Sequence, residues 1–267
     1  MRERDVRTLT SRTLEHESQS AIEVHSRQAP QFAERYGQDD PYASCFSYSR
    51  ARLDGWLDKG LPANGDGARL LDLGCGTGHQ MAEMRERGFD VVGVDGSGEM
   101  LEHARENNPD AELHQAEVDD LPLPDASFDY LLCIEVLRYL PHPERCVAEM
   151  ARVLRPGGVA LVTATPLFNL NGYALVNRAA VALPTRKLTR LRQFFVTSSG
   201  IEGIFEGAGF AHAEAHGVYL GPVNWVERVA PKRLPGFLRR WERADRALAD
   251  RRVWRDLSNM LVIRAIR

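Results

Sequence analysis

The sequence of 267 residues predicts an α/β fold built on a mostly parallel sheet, on three observations. Short apolar runs alternate with helix-patterned segments between residues 69 and 165, the mark of βα units stacked into a parallel sheet with helices on both faces. The first apolar run, Leu70-Leu71-Asp72-Leu73, passes at once into Gly74-Cys75-Gly76-Thr77-Gly78 and then into a helix pattern, Gln80 to Arg87. After Pro166 the alternation stops and a longer apolar and basic stretch begins.

The elements follow in order. Residues 1–20 are polar, and residues 21–36 read as a helix. Pro41 to Tyr48 reads as a loop whose Tyr42, Phe46 and Tyr48 are spaced to line something. Ser49 to Lys59 carries Leu53, Trp56 and Leu57 on one helical face. The cluster Leu61-Pro62-Ala63-Asn64-Gly65-Asp66-Gly67 is a turn. Strands are expected near 69–73, 90–95, 111–115, 128–134 and 159–165, and helices near 78–87, 97–107 and 143–154. Arg155-Pro156-Gly157-Gly158 stops the last of these helices and turns into a strand. Gly172 to Leu183 is mostly apolar and ends at Pro184. Arg186, Lys187, Arg190 and Arg192 follow, then Phe194 and Phe195. A helix over Ser198–Gly207 precedes strand-like stretches near 211–220 and 258–266, with a basic helical segment bearing Trp225, Trp241 and Trp254 between them. The expected organisation is a helical cap over 1–60, a core over 61–165, and over 166–267 a substrate lid, the last two strands and the basic helical segment.

Composition narrows the function. An apolar fraction of 43% supplies a substantial core, but no run of eighteen apolar residues exists to span a bilayer. The charged start, Met1-Arg2-Glu3-Arg4-Asp5, lacks an apolar signal region, so a cytoplasmic protein is expected. Cys45, Cys75, Cys133 and Cys146 form no C-x-x-C pair, which argues against zinc and against a disulfide frame. Residues 1–165 hold 17 basic against 29 acidic side chains, whereas residues 166–267 hold 17 against 8. The basic half could face an anionic membrane or an acidic substrate, or simply present solvated helix faces.

A strand, a glycine turn and a helix N-terminus make a nucleotide-type site. A dinucleotide fingerprint would place its third glycine at position 79, which is His79. The next strand, Asp90 to Asp95, ends in an acid able to accept from ribose hydroxyls. That leaves a ligand with a ribose and no clear pyrophosphate cradle.

LLDLGCGTGHQ, VVGVDGSGEML, DDLPLPDASFDYLLCIEVLRYL and VLRPGG, in this order over residues 68–165, resemble the class I S-adenosylmethionine-dependent methyltransferases. The resemblance implies a Rossmann-like seven-stranded sheet whose last strand runs antiparallel, a helical cap and an insertion after the fifth strand. It implies S-adenosylmethionine as methyl donor and S-adenosylhomocysteine as product. Gly74, Cys75, Gly76 and Gly78 would let backbone approach the amino-acid end of the donor, with Asp72 helping to hold its ammonium. Asp95 would bind the ribose, Gly96 and Met100 would pack against adenine, and Glu117-Val118 would meet the adenine edge. Cys133 and Ile134 would border the methionine portion.

A hydroxyl acceptor needs a base, because a neutral oxygen is a poor nucleophile. Glu135, Tyr139 and His142 are the candidates near the rim, with His216 from the later half. CIEVLRYLPHP followed by the apolar-basic insertion looks like the ubiquinone-pathway O-methyltransferases. This implies a small or lipid-like acceptor and a peripheral membrane contact through residues 166–197, with no nucleic-acid partner. Some members of that group bind a divalent metal through Glu-x-x-Glu-His. The matching residues here are Glu135, Arg138 and Tyr139, so only the first is retained and no metal is expected.

Overall fold

The computed structural model describes residues 40–182 and 193–267. The predicted helix over 21–36 and the basic residues Arg186, Lys187, Arg190 and Arg192 lie outside these residues. Helix α1 (Cys45–Gly60) leads to β1 (Arg69–Leu73), α2 (His79–Glu86), β2 (Asp90–Asp95), α3 (Gly98–Asn107) and β3 (Glu112–Gln115). Then come β4 (Phe128–Cys133), a 3-10 turn (Leu137–Tyr139), α4 (Pro143–Val153), β5 (Leu154–Ala164) and α5 (Tyr173–Ala182). The chain continues with α6 (Ser198–Gly207), β6 (His212–Tyr219), α7 (Val223–Val229), a 3-10 turn (Pro231–Arg233), α8 (Leu234–Leu248), α9 (Arg252–Arg255) and β7 (Met260–Ile266).

The seven strands form one sheet in the order β3-β2-β1-β4-β5-β7-β6. Six run parallel, and β7 alone is antiparallel, pairing with β5 on one side and β6 on the other. The central strands are apolar on both faces: Leu70 and Leu71 are both fully buried, pointing to opposite sides. Each such leucine contributes about 1.5–3 kcal/mol of burial. One core layer packs β4, β5 and β7 under α4 and α6, through Cys146, Val147, Met150, Ile201 and Phe205. The other packs α1, α2, α7 and α8 through Tyr48, Leu57, Met81, Met84, Val223 and Leu238.

Two boundaries differ from the sequence expectation. Helix α1 begins at Cys45 rather than near Ser49, because the Ser44 hydroxyl accepts from the Ser47 amide and caps the turn. The aromatic segment read as a loop is therefore partly helical. Strand β5 begins at Leu154, directly after α4, so Arg155-Pro156-Gly157-Gly158 lies inside a strand. The pairing jumps from Phe128↔Leu154 to Tyr130↔Val159, and Gly157 takes φ 83°, so this segment is an irregularity in the ladder.

A buried ionic knot ties α1 to α8. Asp245 is fully buried. Its carboxylate accepts from Tyr48 Oη at 2.5 Å, Arg52 Nε at 3.0 Å and the Leu220 amide at 2.6 Å. Burial pushes its pKa up while these partners pull it back down.

Candidate functional site

Parallel strands leave their carboxyl ends on one rim, and there a cavity of about 380 Å³ opens. Its first wall is the turn after β1. Gly74, Gly76 and Gly78 have φ of 78°, 52° and 73°, left-handed values that favour glycine. At Gly74 a Cβ would lie 2.2 Å from Val136 Cγ2, so the turn is also closely packed. The Gly74 and Cys75 amides both donate to the Val94 carbonyl, at 2.7 and 3.0 Å.

Asp95, at the end of β2, holds this wall together. Its Oδ2 accepts from the Gly76 amide at 2.8 Å and its Oδ1 from the Ser97 amide at 2.8 Å. The Ser97 hydroxyl in turn caps α3 by accepting from the Met100 amide. Asp72, two residues before the turn, is only 2% exposed, and its Oδ2 has no hydrogen-bond partner. Burial, reinforced by Asp95, lifts its pKa to about 7. A buried carboxylate oxygen with no partner, beside the glycine turn, could accept from a cationic or hydrogen-bond-donating group.

The adjoining wall follows β4. Glu135 stands at φ 61°, left-handed although it is not glycine, and its amide donates to Thr163 Oγ1 at 2.6 Å. Such backbone stores about 1–3 kcal/mol of strain and is held there by its surroundings. Its carboxylate pairs with Arg138. Arg138 also donates to Gln193 Oε1 at 2.9 Å and lies over the Tyr139 and Tyr173 rings at 5.4 and 5.2 Å. Burial alone would lower the Arg138 pKa, but Glu135, with Tyr139 and Tyr173, raises it on balance and holds the guanidinium charged. Burial raises the Tyr139 phenol to about 12, so it stays neutral near pH 7.

Most of the sequence candidates meet in this cavity. Asp72, Gly74, Cys75, Gly76, Asp95, Gly96, Met100, Glu117, Val118, Glu135 and Tyr139 line it, together with Ile134 and Arg138. Gly78, Cys133 and His142 do not line it. Gly78 faces α3: its carbonyl accepts from Asn108 Nδ2 at 2.8 Å, and a Cβ there would meet Ala104 at 3.0 Å. Cys133 is fully buried in the core beside Cys146, because strand alternation sends it to the face of Leu131. His142 precedes α4 on the surface and bonds to Glu144 through Nδ1 at 2.9 Å. His216 likewise stands elsewhere, stacked on Trp56 at 4.5 Å and bonded to Asp250.

Sequence reasoning missed the third wall. Ser49 comes from α1 beside Phe46, Tyr219 from the end of β6, and Asn259 and Met260 from the start of β7. Phe46 had a signal in the aromatic spacing of its segment, but the others are brought in by tertiary contacts alone.

Residues 71–162 match the family model described as a methyltransferase domain. The chain is 30% identical over 176 residues to a ubiquinone biosynthesis O-methyltransferase of Paraburkholderia phymatum, covering 63% of this chain and 75% of that protein. It is 39% identical over 105 residues to a phosphatidylethanolamine N-methyltransferase of Cereibacter sphaeroides, covering 37% of this chain and 51% of that protein. The chain thus spans about half of that relative's length, and 21% to 43% of others it matches. The fold is similar to the crystal structure of a SAM-dependent methyltransferase from Thermotoga maritima, with TM-score 0.61 and 18% identity over 91% of this chain and 98% of that one.

Proposed function

The chain belongs to the S-adenosylmethionine-dependent methyltransferases, and on that premise we propose that it moves a methyl group to a hydroxyl of a small or lipid-like acceptor. The observation that supports this reading is one cavity that gathers two unlike sets of residues. The glycine turn, Asp72 and Asp95 are taken as its donor end, and Glu135, Arg138, Tyr139 and Tyr219 as its acceptor end.

The first end fits the donor. The carboxylate of Asp72 would meet its ammonium, the Gly74–Gly76 backbone its amino-acid portion, Asp95 its ribose, and Met100 and Glu117-Val118 its adenine. When bound, S-adenosylmethionine supplies an electrophilic methyl on sulfur. The protein's work is to align the acceptor with that methyl and keep water away.

Glu135 is the residue proposed to take the acceptor proton, since among the described residues it is the carboxylate of the cavity that stands beside Arg138 and Tyr139. Arg138 positions it. The neutral Tyr139 and the buried Tyr219, whose pKa is also raised by burial, serve as donors and walls rather than as bases. Glu135→Gln is expected to lower kcat for a phenolic acceptor about 100-fold or more. Binding of S-adenosylhomocysteine should stay the same. If methylation of a phenol panel is unchanged in this variant, the proton-acceptor role fails. Turnover of amines alone would move the chemistry to nitrogen, which the aromatic and acidic walls also suit.

Asp72 makes a separate prediction. Its carboxyl is protonated below about 7 in the free protein, and a bound ammonium favours the charged form. Affinity for S-adenosylhomocysteine should therefore rise from pH 5 to pH 8 and level off above. Asp72→Asn should bind more weakly at pH 8 and lose this pH dependence. A calorimetric titration series checks both, and an unaltered pH profile in the variant would remove Asp72 from the role.

No described helix is long and apolar enough to cross a membrane. Phe168, Leu170, Leu175 and Val176 are nonetheless exposed, Leu175 at 74%. These side chains support a lipid-like acceptor and a peripheral membrane contact through residues 166–197.

A further inference from the structure

We propose that a second cavity, between α7 and α8, binds the anionic headgroup of a phospholipid at a bilayer surface. This deepens the peripheral contact proposed above and rests on it for the surrounding surface. The cavity measures about 590 Å³ and is lined by Lys232, Arg233 and Arg240 over an apolar floor of Val226, Phe237 and Trp241. Among the described residues, no carboxylate lines it. The acidic residues on these two helices nearest in sequence are engaged elsewhere. Glu227 accepts from the Cys45 amide at 2.9 Å, and Glu242 from Tyr42 at 2.5 Å and Arg246 at 2.6 Å.

The helix at this cavity starts with no acidic residue to compensate its positive end. α8 is 15 residues long, starts without a side-chain cap and has no acidic residue in its first turn. The positive end of a helix favours an anion there. Lys232 and Arg233 stand at that end instead, with Arg240 two turns further along. Three cations and a helix N-terminus thus repel one another around a space that an anion would neutralise.

The rim indicates what carries the anion. Val226 on α7 and Ala230, which caps its end, line the cavity. Trp225 and Val229, each one position earlier, form the adjoining face and are 47% and 78% exposed. Trp225 Nε1 donates to the Asn171 carbonyl at 3.0 Å, which brings this face beside the segment bearing Leu175 and Val176. A soluble phosphate has no use for exposed aliphatic and indole side chains around its site. A bilayer takes the cations at its headgroups and these side chains at its acyl boundary.

The test is co-sedimentation of the full chain with vesicles of phosphatidylcholine alone and of phosphatidylcholine containing phosphatidylglycerol. Binding is expected on the anionic vesicles and should weaken with salt. Lys232→Glu with Arg240→Glu should cut it about tenfold or more while S-adenosylhomocysteine binding and the unfolding temperature hold. Equal binding to both vesicles, or a charge-reversed variant that sediments like the parent, overturns the proposal. So does stabilisation by inorganic phosphate without vesicle binding, which would make the ligand a free anion. Leu175→Ser with Val176→Ser separates the two readings. If only this pair matters, the contact through 166–197 stands and the headgroup site falls; if only the charge reversal matters, the converse holds.

Discussion

Asp95→Ala is expected to abolish measurable binding of S-adenosylhomocysteine while leaving the chain folded. Two losses combine. The carboxylate is proposed to accept the ribose hydroxyls, and it also holds the Gly76 and Ser97 amides at 2.8 Å each. Removing it frees the glycine turn from the start of α3, so the cradle loses shape as well as a contact. A hydrogen bond to a charged group contributes about 1.5–3 kcal/mol, and two of them correspond to at least about 100-fold in affinity. Isothermal titration with S-adenosylhomocysteine measures this, and thermal unfolding confirms that the sheet survives. A variant that binds within threefold of the parent would remove Asp95 from the site.

Gly74→Ala should have a comparable effect for a different reason. The residue sits at φ 78° and the new Cβ would lie 2.2 Å from Val136 Cγ2. Either the turn opens or Val136, on the adjoining wall, is pushed aside. The expected cost is about 2–4 kcal/mol of stability together with loss of donor binding. Gly67→Ala is the control. It has φ 76° but nothing within 4 Å of the added atom, and it lies outside the cavity. It should cost about 1 kcal/mol and leave the ligand untouched. Val136→Ala added to Gly74→Ala should restore part of the loss. Thermal melts and titrations of the parent, Gly74→Ala, Val136→Ala and the double variant give the coupling, and strict additivity would show that the two side chains do not meet.

The readable parts of this molecule were the local ones. Strands over Arg69–Leu73 and Asp90–Asp95 and the helix over Ser198–Gly207 follow directly from periodicity and flanking turns. The part of the cavity proposed to hold the donor was equally legible as a cluster, because Asp72, the glycine turn and Asp95 occupy one βαβ unit. Cys133 shows where adjacency in sequence misleads. It ends the right strand, but the two-residue period turns it into the core and gives the wall to Ile134. His142 carries suitable chemistry for a base, yet Pro143 starts α4 beside it and leaves it on the surface. Ser49, Tyr219, Asn259 and Met260 reach the cavity from three elements up to about two hundred residues apart, and no short motif records that meeting.

The place of β7 also sets the order in which the cavity can be completed. β1 to β4 can assemble from neighbouring βα units, whereas Val159 of β5 pairs with Ile266, more than a hundred residues later. Closing so long a loop is slow relative to local pairing. Until β7 docks, β5 presents an unpaired edge and β6 has no partner in the sheet. A refolding chain should therefore pass through a species whose glycine turn is formed while Asn259 and Met260 are still absent from the wall. Such a species would capture the nucleoside ligand before it could discriminate among acceptors, and its open edge is the surface a chaperone would have to cover.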